Sequence, residues 1–176
     1  MFQYEKHIEL YRICKCAEIY IVAILLGTVK NTLIMHSSYA LLRWFAGGWH
    51  AKKSINCSIF GIITFAVFPF ILQSLNLKIN IWEIIPILLI TLILIYYYSP
   101  SDSEKNPMVN KIIRNKAHKR SVITVIFLSI LVLFLNSNTE IYIVLGIFIE
   151  SFLVTPLFYK IMKVRYNNYE EYAEIN

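Results

Sequence analysis

Long apolar runs separated by short polar breaks organise the chain from about residue 18 onward. Residues 58–75 form a run long enough to cross a bilayer as a helix, because about 20 apolar residues match a ~30 Å hydrocarbon layer. Gly61 and Pro69 inside it predict close packing and a bend. A short turn over 76–80 leads to a second such run, 81–98, which closes on Tyr96-Tyr97-Tyr98. Aromatic residues at a run's end belong at headgroup level. Glu83, near the other end, is expected to reach water. A helix is expected over about 107–135, with Asn106 as its cap and Pro107 in its first position, entering the apolar layer near Ser121. A turn over 136–140 precedes the last run, 141–159, which carries Glu150. The polar, partly acidic tail beyond Arg165 is expected to be mobile.

The first third is less regular. Tyr4, Ile8, Leu10, Tyr11, Ile13, Cys14 and Ala17 recur near helical spacing among charged residues, so 1–17 reads as an amphipathic helix. It either lies in the membrane interface or packs on a bundle with its polar face outward. Residues 19–29 are apolar but shorter than a full crossing. Lys30-Asn31 interrupts, and 32–49 resumes with His36 and Arg43 inside. Two short or tilted crossings forming a hairpin fit this pattern; a re-entrant segment is the alternative. A lysine such as Lys30 is expected to snorkel to the surface.

Composition agrees. Apolar residues make up 57% of the 176 residues and charged ones 16%, against about 25% charged in a soluble domain. A net charge of +6 would suit nucleic acid if it were spread over a surface. Here the basic residues gather at the ends of apolar runs, as membrane topology requires, so no nucleic-acid partner is expected. The result is an all-α, polytopic membrane protein of about six transmembrane helices with an N-terminal amphipathic helix. With no internal repeat or linker, a single domain over 1–176 is expected. The 99–120 loop, with Lys105, Lys111, Arg114, Lys116, Lys119 and Arg120, is the most basic and is assigned to the cytoplasm. Both termini and residues 51–57 then fall on the same side of the cell membrane. The first 18 residues lack the apolar core of a secretory signal. Cys14 and Cys16 point to opposite sides of a helix and cannot bridge each other, so the three cysteines are expected to be free thiols.

One stretch carries chemistry: Arg43-Trp44-Phe45-Ala46-Gly47-Gly48-Trp49-His50-Ala51-Lys52-Lys53-Ser54-Ile55-Asn56-Cys57. A thiol and an imidazole suffice for cysteine nucleophilic catalysis, the imidazole taking the proton and the thiolate attacking a carbonyl. On an unbroken helix residues seven apart are roughly 10 Å apart along the axis, so His50 and Cys57 can cooperate only if the segment between them turns. Gly47 and Gly48 allow the backbone to bend. Lys52, Lys53 and a charged imidazole favour a thiolate. Arg43 either holds a substrate carboxylate by a bidentate contact or braces the His–Cys loop.

Arg43-x3-Gly47-Gly48-x-His50-Ala51-x5-Cys57 resembles the signature of the accessory gene regulator protein B (AgrB) family. Ser99-Pro100-x-Asp102-x3-Asn106-Pro107 resembles that family's proline-bearing loop. The resemblance implies a membrane cysteine endopeptidase that processes a short precursor peptide into a cyclic quorum-sensing signal. It also implies His50 and Cys57 as the catalytic pair and a peptide substrate held at the inner leaflet, and it allows a homodimer. No cofactor is implied.

Other groups read more plainly. His7, His36 and His118 are expected to be structural or exposed, and no set with Cys57 has usual zinc spacing, so no metal is expected. Glu150 is an intramembrane acid, and an intramembrane ionisable group needs a partner; Lys30 or Arg43 would serve. The basic loop either touches anionic lipid or docks an acidic peptide. Two non-enzymatic readings stand beside the enzyme: a peptide transporter with Lys30, Arg43 and Glu150 lining a path, and a structural partner of a sensor protein.

Overall fold

The computed structural model describes residues 2–50, 54–77, 79–104, 107–135 and 139–173, with side chains from residue 14 onward except 171 and 173. Expectations placed on Lys52, Lys53, Asn106, the turn residues 136–138 and the His7 side chain lie outside the described residues. The described chain is all-helical. Its helices are α1 (Phe2–Leu25), α2 (Val29–Ala46), α3 (Ser54–Ile62), α4 (Phe68–Ser74), α5 (Ile81–Tyr98), α6 (Lys111–Phe134), α7 (Glu140–Leu153), α8 (Pro156–Ile161) and α9 (Glu170–Ala173). A π-helical turn over Ile63–Val67 joins α3 to α4. Three lengths, Ser54–Ser74, Ile81–Tyr98 and Lys111–Phe134, are long and apolar enough to cross a membrane.

By contacts the chain divides into two compact units, Met1–Leu33 with Ala51–Lys78, and Ile34–His50 with Ile79–Asn176. In the first, α1 is one continuous helix, where the sequence pattern divided it into an amphipathic piece and an apolar piece. Nothing between residues 17 and 19 breaks a helix, so the change of composition changes the surroundings and not the backbone. The break comes at Gly27, with φ of +67°, three residues before Lys30. Gly61 is buried on α3, and a Cβ there would lie 3.0 Å from Ile19 Cδ1, so α1 and α3 meet closely, as its glycine predicted. Pro69 cannot donate to the carbonyl four residues back and crowds it; the wider π turn just before it accommodates that loss. Two polar contacts bracket the apolar lengths. Lys15 Nζ donates to Ser58 Oγ at 2.5 Å and to Glu18 at 2.9 Å, and Asn31 Nδ2 donates to Gln73 Oε1 at 2.7 Å.

In the second unit α5, α6, α7 and the end of α2 share a core of Leu42, Ala46, Ile84, Leu88, Ile95, Val125, Leu128, Val132, Val144 and Ile147. Gly146 on α7 faces α2 so closely that a Cβ would collide with Ser38 Oγ and the Met35 carbonyl. Small residues let membrane helices approach in this way. α5 begins with a capping box, in which the Asn80 N–H donates to Glu83 Oε2 at 3.1 Å. α7 has 14 residues, about 21 Å at 1.5 Å per residue, and most of its side chains are buried. Beyond a break at Val154, Thr155 caps α8, accepting from the Phe158 N–H at 3.3 Å.

Two expectations are corrected. α6 starts at Lys111 and not near Pro107: Asn110 is the cap, its Oδ1 accepting from the Ile112 and Ile113 N–H groups at 2.9 and 3.2 Å. The Met108 amide is committed to Asp102 instead, at 3.0 Å, which keeps 107–110 out of the helix. The tail through Tyr169 is not loose. The Asn168 and Tyr169 N–H groups donate to the Asp102 carboxylate at 2.8 and 2.9 Å.

Candidate functional site

The site is built from the end of α2. Arg43 lies in its last turn, and the helix stops at Ala46 because Gly47 and Gly48 take positive φ, +71° and +120°. Side-chain-bearing residues rarely adopt that region. At Gly47 the chain also passes the 99–110 loop so closely that a Cβ would strike the Ser101 carbonyl oxygen. The contact is a short parallel bridge between Gly47 and Ser101. The Ser101 N–H donates to the Ala46 carbonyl at 2.9 Å and the Gly48 N–H to the Ser101 carbonyl at 3.0 Å. The glycine pair is thus the edge on which the proline-bearing loop is hung.

Arg43 braces the strip that follows. One guanidinium nitrogen, Nη1, donates to Glu150 Oε2 on α7 at 3.0 Å; the other, Nη2, donates to the Trp49 carbonyl at 2.5 Å. The Tyr39 ring lies under it, 5.6 Å from centroid to Cζ. Glu150 is fully buried, so this is a buried ion pair, and Arg43 is the partner it takes, not Lys30. A Cβ on Gly48 would stand 2.9 Å from Arg43 Nη1 and 3.2 Å from Glu150 Oε1. The second glycine therefore also makes room for the ion pair. The Trp49 ring meets Phe158 of α8 edge-on, at 5.5 Å between centroids. His50, the next residue, is exposed at the end of this braced strip.

The loop opposite is held by a residue the motif contained but to which sequence reasoning gave no task. The buried Asp102 carboxylate accepts from the backbone N–H groups of Met108, Asn168 and Tyr169, and from Asn168 Nδ2 at 3.4 Å. Tyr159 Oη donates to the Asp102 carbonyl at 2.7 Å and lies 3.3 Å from Ser101 Oγ. Three separate stretches of chain converge on one residue. An aspartate between two prolines is a recognisable loop residue, since it can accept backbone amides. Its partners 66 and 67 residues away leave no local trace.

Cys57 sits in the first turn of α3, half-buried, in the other unit. Its neighbour Ser58 receives the Lys15 hydrogen bond described above. All three cysteines are free. The structure thus gathers Arg43, Gly47 and Gly48 into one arrangement leading to His50, and places Cys57 on a separate helix start. His118 has a structural contact, its Nδ1 donating to the Ser99 carbonyl at 2.7 Å.

The model of the accessory gene regulator B family matches residues 1–154. The chain belongs to this family. It is 31% identical over 171 residues to a putative AgrB-like protein of Listeria innocua, covering 97% of this chain and 83% of that one. It is 34% identical over 140 residues to accessory gene regulator protein B of Staphylococcus aureus, covering 80% and 73%. No solved structure matches the chain. Family membership supports a part in agr quorum-sensing peptide processing, and the three long apolar helices point to a membrane protein.

Proposed function

We propose that this chain is a membrane cysteine endopeptidase that cleaves a short precursor peptide at the inner membrane surface and helps close it into a cyclic autoinducing signal. His50 takes the Cys57 thiol proton, and the thiolate attacks the scissile carbonyl. The tetrahedral intermediate collapses as His50 returns the proton to the leaving amine. The C-terminal part of the precursor departs and a thioester remains on Cys57. A nucleophile within the bound peptide then displaces the thiol, closing a ring and regenerating the enzyme. A thioester keeps the acyl group activated for that exchange, whereas attack by water would end in a linear acid.

The observation that carries the reading is the bracing of the strip before His50. Arg43, Gly47 and Gly48, the motif residues least able to do chemistry, form the turn and hold the Trp49 carbonyl next to the histidine. Arg43 acts as a brace in this reading, not as a ligand for substrate carboxylate. Lys52, Lys53 and the cytoplasmic orientation of the site and both termini belong to the same proposal.

The test is cleavage of a co-expressed precursor by the wild type, Cys57→Ala and His50→Ala, read by peptide mass. Both variants are expected to be expressed and inactive. A wild-type product one water lighter than the linear fragment would mark ring closure. Cleavage by Cys57→Ala would reduce Cys57 to packing and end the proposal.

A further inference from the structure

Where α5 ends and α6 begins, the second unit has a cavity of about 210 Å³ unconnected with the chemistry above. Arg114 and His118, one turn apart on α6, line one side; Asn115, Asn167, Tyr166 and Tyr169 line others. Among the described residues no carboxylate lines it, and Glu170, beside it, accepts from Asn167 Nδ2 at 2.9 Å. The nearby Asp102 is occupied by backbone amides.

The donors are held in place. The Arg114 guanidinium stacks on the Tyr169 ring, 3.7 Å from its centroid. Stacking uses the face of the guanidinium and leaves its N–H edges for a forked contact with an oxyanion. Among the described residues Arg114 makes no ion pair. The His118 ring is fixed by Nδ1 on the Ser99 carbonyl, so Nε2 is the nitrogen left for a ligand, and it donates to an oxyanion only in the doubly protonated ring. Burial pushes the Tyr166 hydroxyl above its ordinary range, so it adds no anionic charge, and its proton goes to the Tyr98 carbonyl at 3.4 Å. The cavity therefore has the chemistry of an anion site.

Position selects the anion. The apolar part of α6 begins near Ser121, seven residues beyond Arg114 and three beyond His118, or about 10 and 4.5 Å along the helix. The headgroup layer outside the hydrocarbon is about 5–8 Å thick on each side, which takes in His118 and leaves the Arg114 backbone just outside, within reach of its long side chain. The exposed Tyr96 and Tyr97 at the end of α5 mark the same level. We propose that this cavity binds the phosphate of an anionic membrane phospholipid, with Arg114 and His118 as its ligands. Such a lipid would bridge the 99–101 loop and the 166–169 tail, the two segments that Asp102 also joins.

The test is binding by the full chain, purified in neutral detergent, with native mass spectrometry as the readout so that it does not depend on cleavage. The probes are phosphatidylglycerol, phosphatidylcholine, inorganic phosphate and a glutamate-rich peptide. Phosphatidylglycerol is expected to bind in preference to the other three. Arg114→Gln is expected to weaken it about tenfold, equivalent to ~1.4 kcal/mol. Arg114→Lys, which keeps the charge and loses the fork, should fall between, and carries the test if Arg114→Gln does not fold. His118→Gln should weaken binding several-fold. Lys116→Gln, an exposed charge on the same helix, should change it less than about twofold, as expected for a screened surface charge. An equal loss in Lys116→Gln and Arg114→Gln would mean diffuse surface attraction and overturn the site. Equal binding of phosphatidylcholine, or Arg114-dependent binding of phosphate or the peptide without phosphatidylglycerol, would overturn the lipid assignment.

Discussion

The surroundings of His50 and of Cys57 are built on different principles. The approach to His50 is a web: two glycines at positive φ, a buried ion pair from α2 to α7, and a loop pinned by one aspartate to three stretches of chain. Cys57 rides on the first turn of an apolar helix, with the Lys15–Ser58 hydrogen bond beside it. If His50 is the base proposed above, it has to be aimed, and an exposed histidine on irregular backbone is aimed only if that backbone is over-determined. A thiol on a helix inherits its direction from the helix. On the proposed function, Arg43, Gly47 and Gly48 serve as architecture for the strip that carries the imidazole.

The sharpest way to break this comparison is at Arg43. Arg43→Ala leaves Glu150 buried without its cation and is expected to cost about 3–5 kcal/mol and to abolish cleavage. The double change Arg43→Leu with Glu150→Leu separates the two roles. It should recover most of the thermal midpoint in detergent, because apolar replacement of a buried pair is often neutral. Cleavage should stay lost, since the Arg43 hydrogen bond to the Trp49 carbonyl is then gone. Full recovery of cleavage would show that the brace is irrelevant to His50.

Asp102→Ala comes next. It strands the amides of Met108, Asn168 and Tyr169, at about 1–3 kcal/mol for each left unsatisfied, and should speed hydrogen exchange in 166–169 while lowering cleavage. Asp102→Asn should fall between. Gly48→Ala is expected to cost about 1–3 kcal/mol in backbone strain and to displace the ion pair, with cleavage lost at unchanged expression. On the thiol side Lys15→Ala should shift stability by less than about 1 kcal/mol and cleavage only a few-fold. A loss as large as that of Asp102→Ala would erase the contrast between the two surroundings. Asn31→Ala, at an exposed pair, is expected to stay within about 0.5 kcal/mol and to leave cleavage unchanged.

What could be read from sequence was what hydrophobic period and local residue chemistry encode. The 81–98 helix has the same bounds in the structure as in the pattern. Gly61 and Pro69 marked a close approach and a disturbed helix. Glu150 was marked as an acid needing a partner, with Arg43 one of two choices. Two of the misses share one cause: the Asp102 carboxylate competes for backbone amides. Asn106-Pro107 is a sound helix start by local rules, yet Asp102 takes the Met108 amide and Asn110 becomes the cap. The tail looked loose because the acceptor of its Asn168 and Tyr169 amides, Asp102, lies 66 and 67 residues away in sequence. In α1 the change from charged to apolar composition looked like a boundary, although no residue there ends a helix.

The Arg43–Glu150 pair also imposes an order of events. The two residues are 107 apart, and a ribosome adding about 5–20 residues each second needs roughly 5–20 s to deliver the second after the first. The Asp102 contacts to Asn168 and Tyr169 must wait longer still. The histidine strip therefore has to pass through synthesis in an unbraced form. On the proposed function, a nascent chain already holding both His50 and Cys57 cannot yet aim its base, and competence arrives only when the last helices have come home.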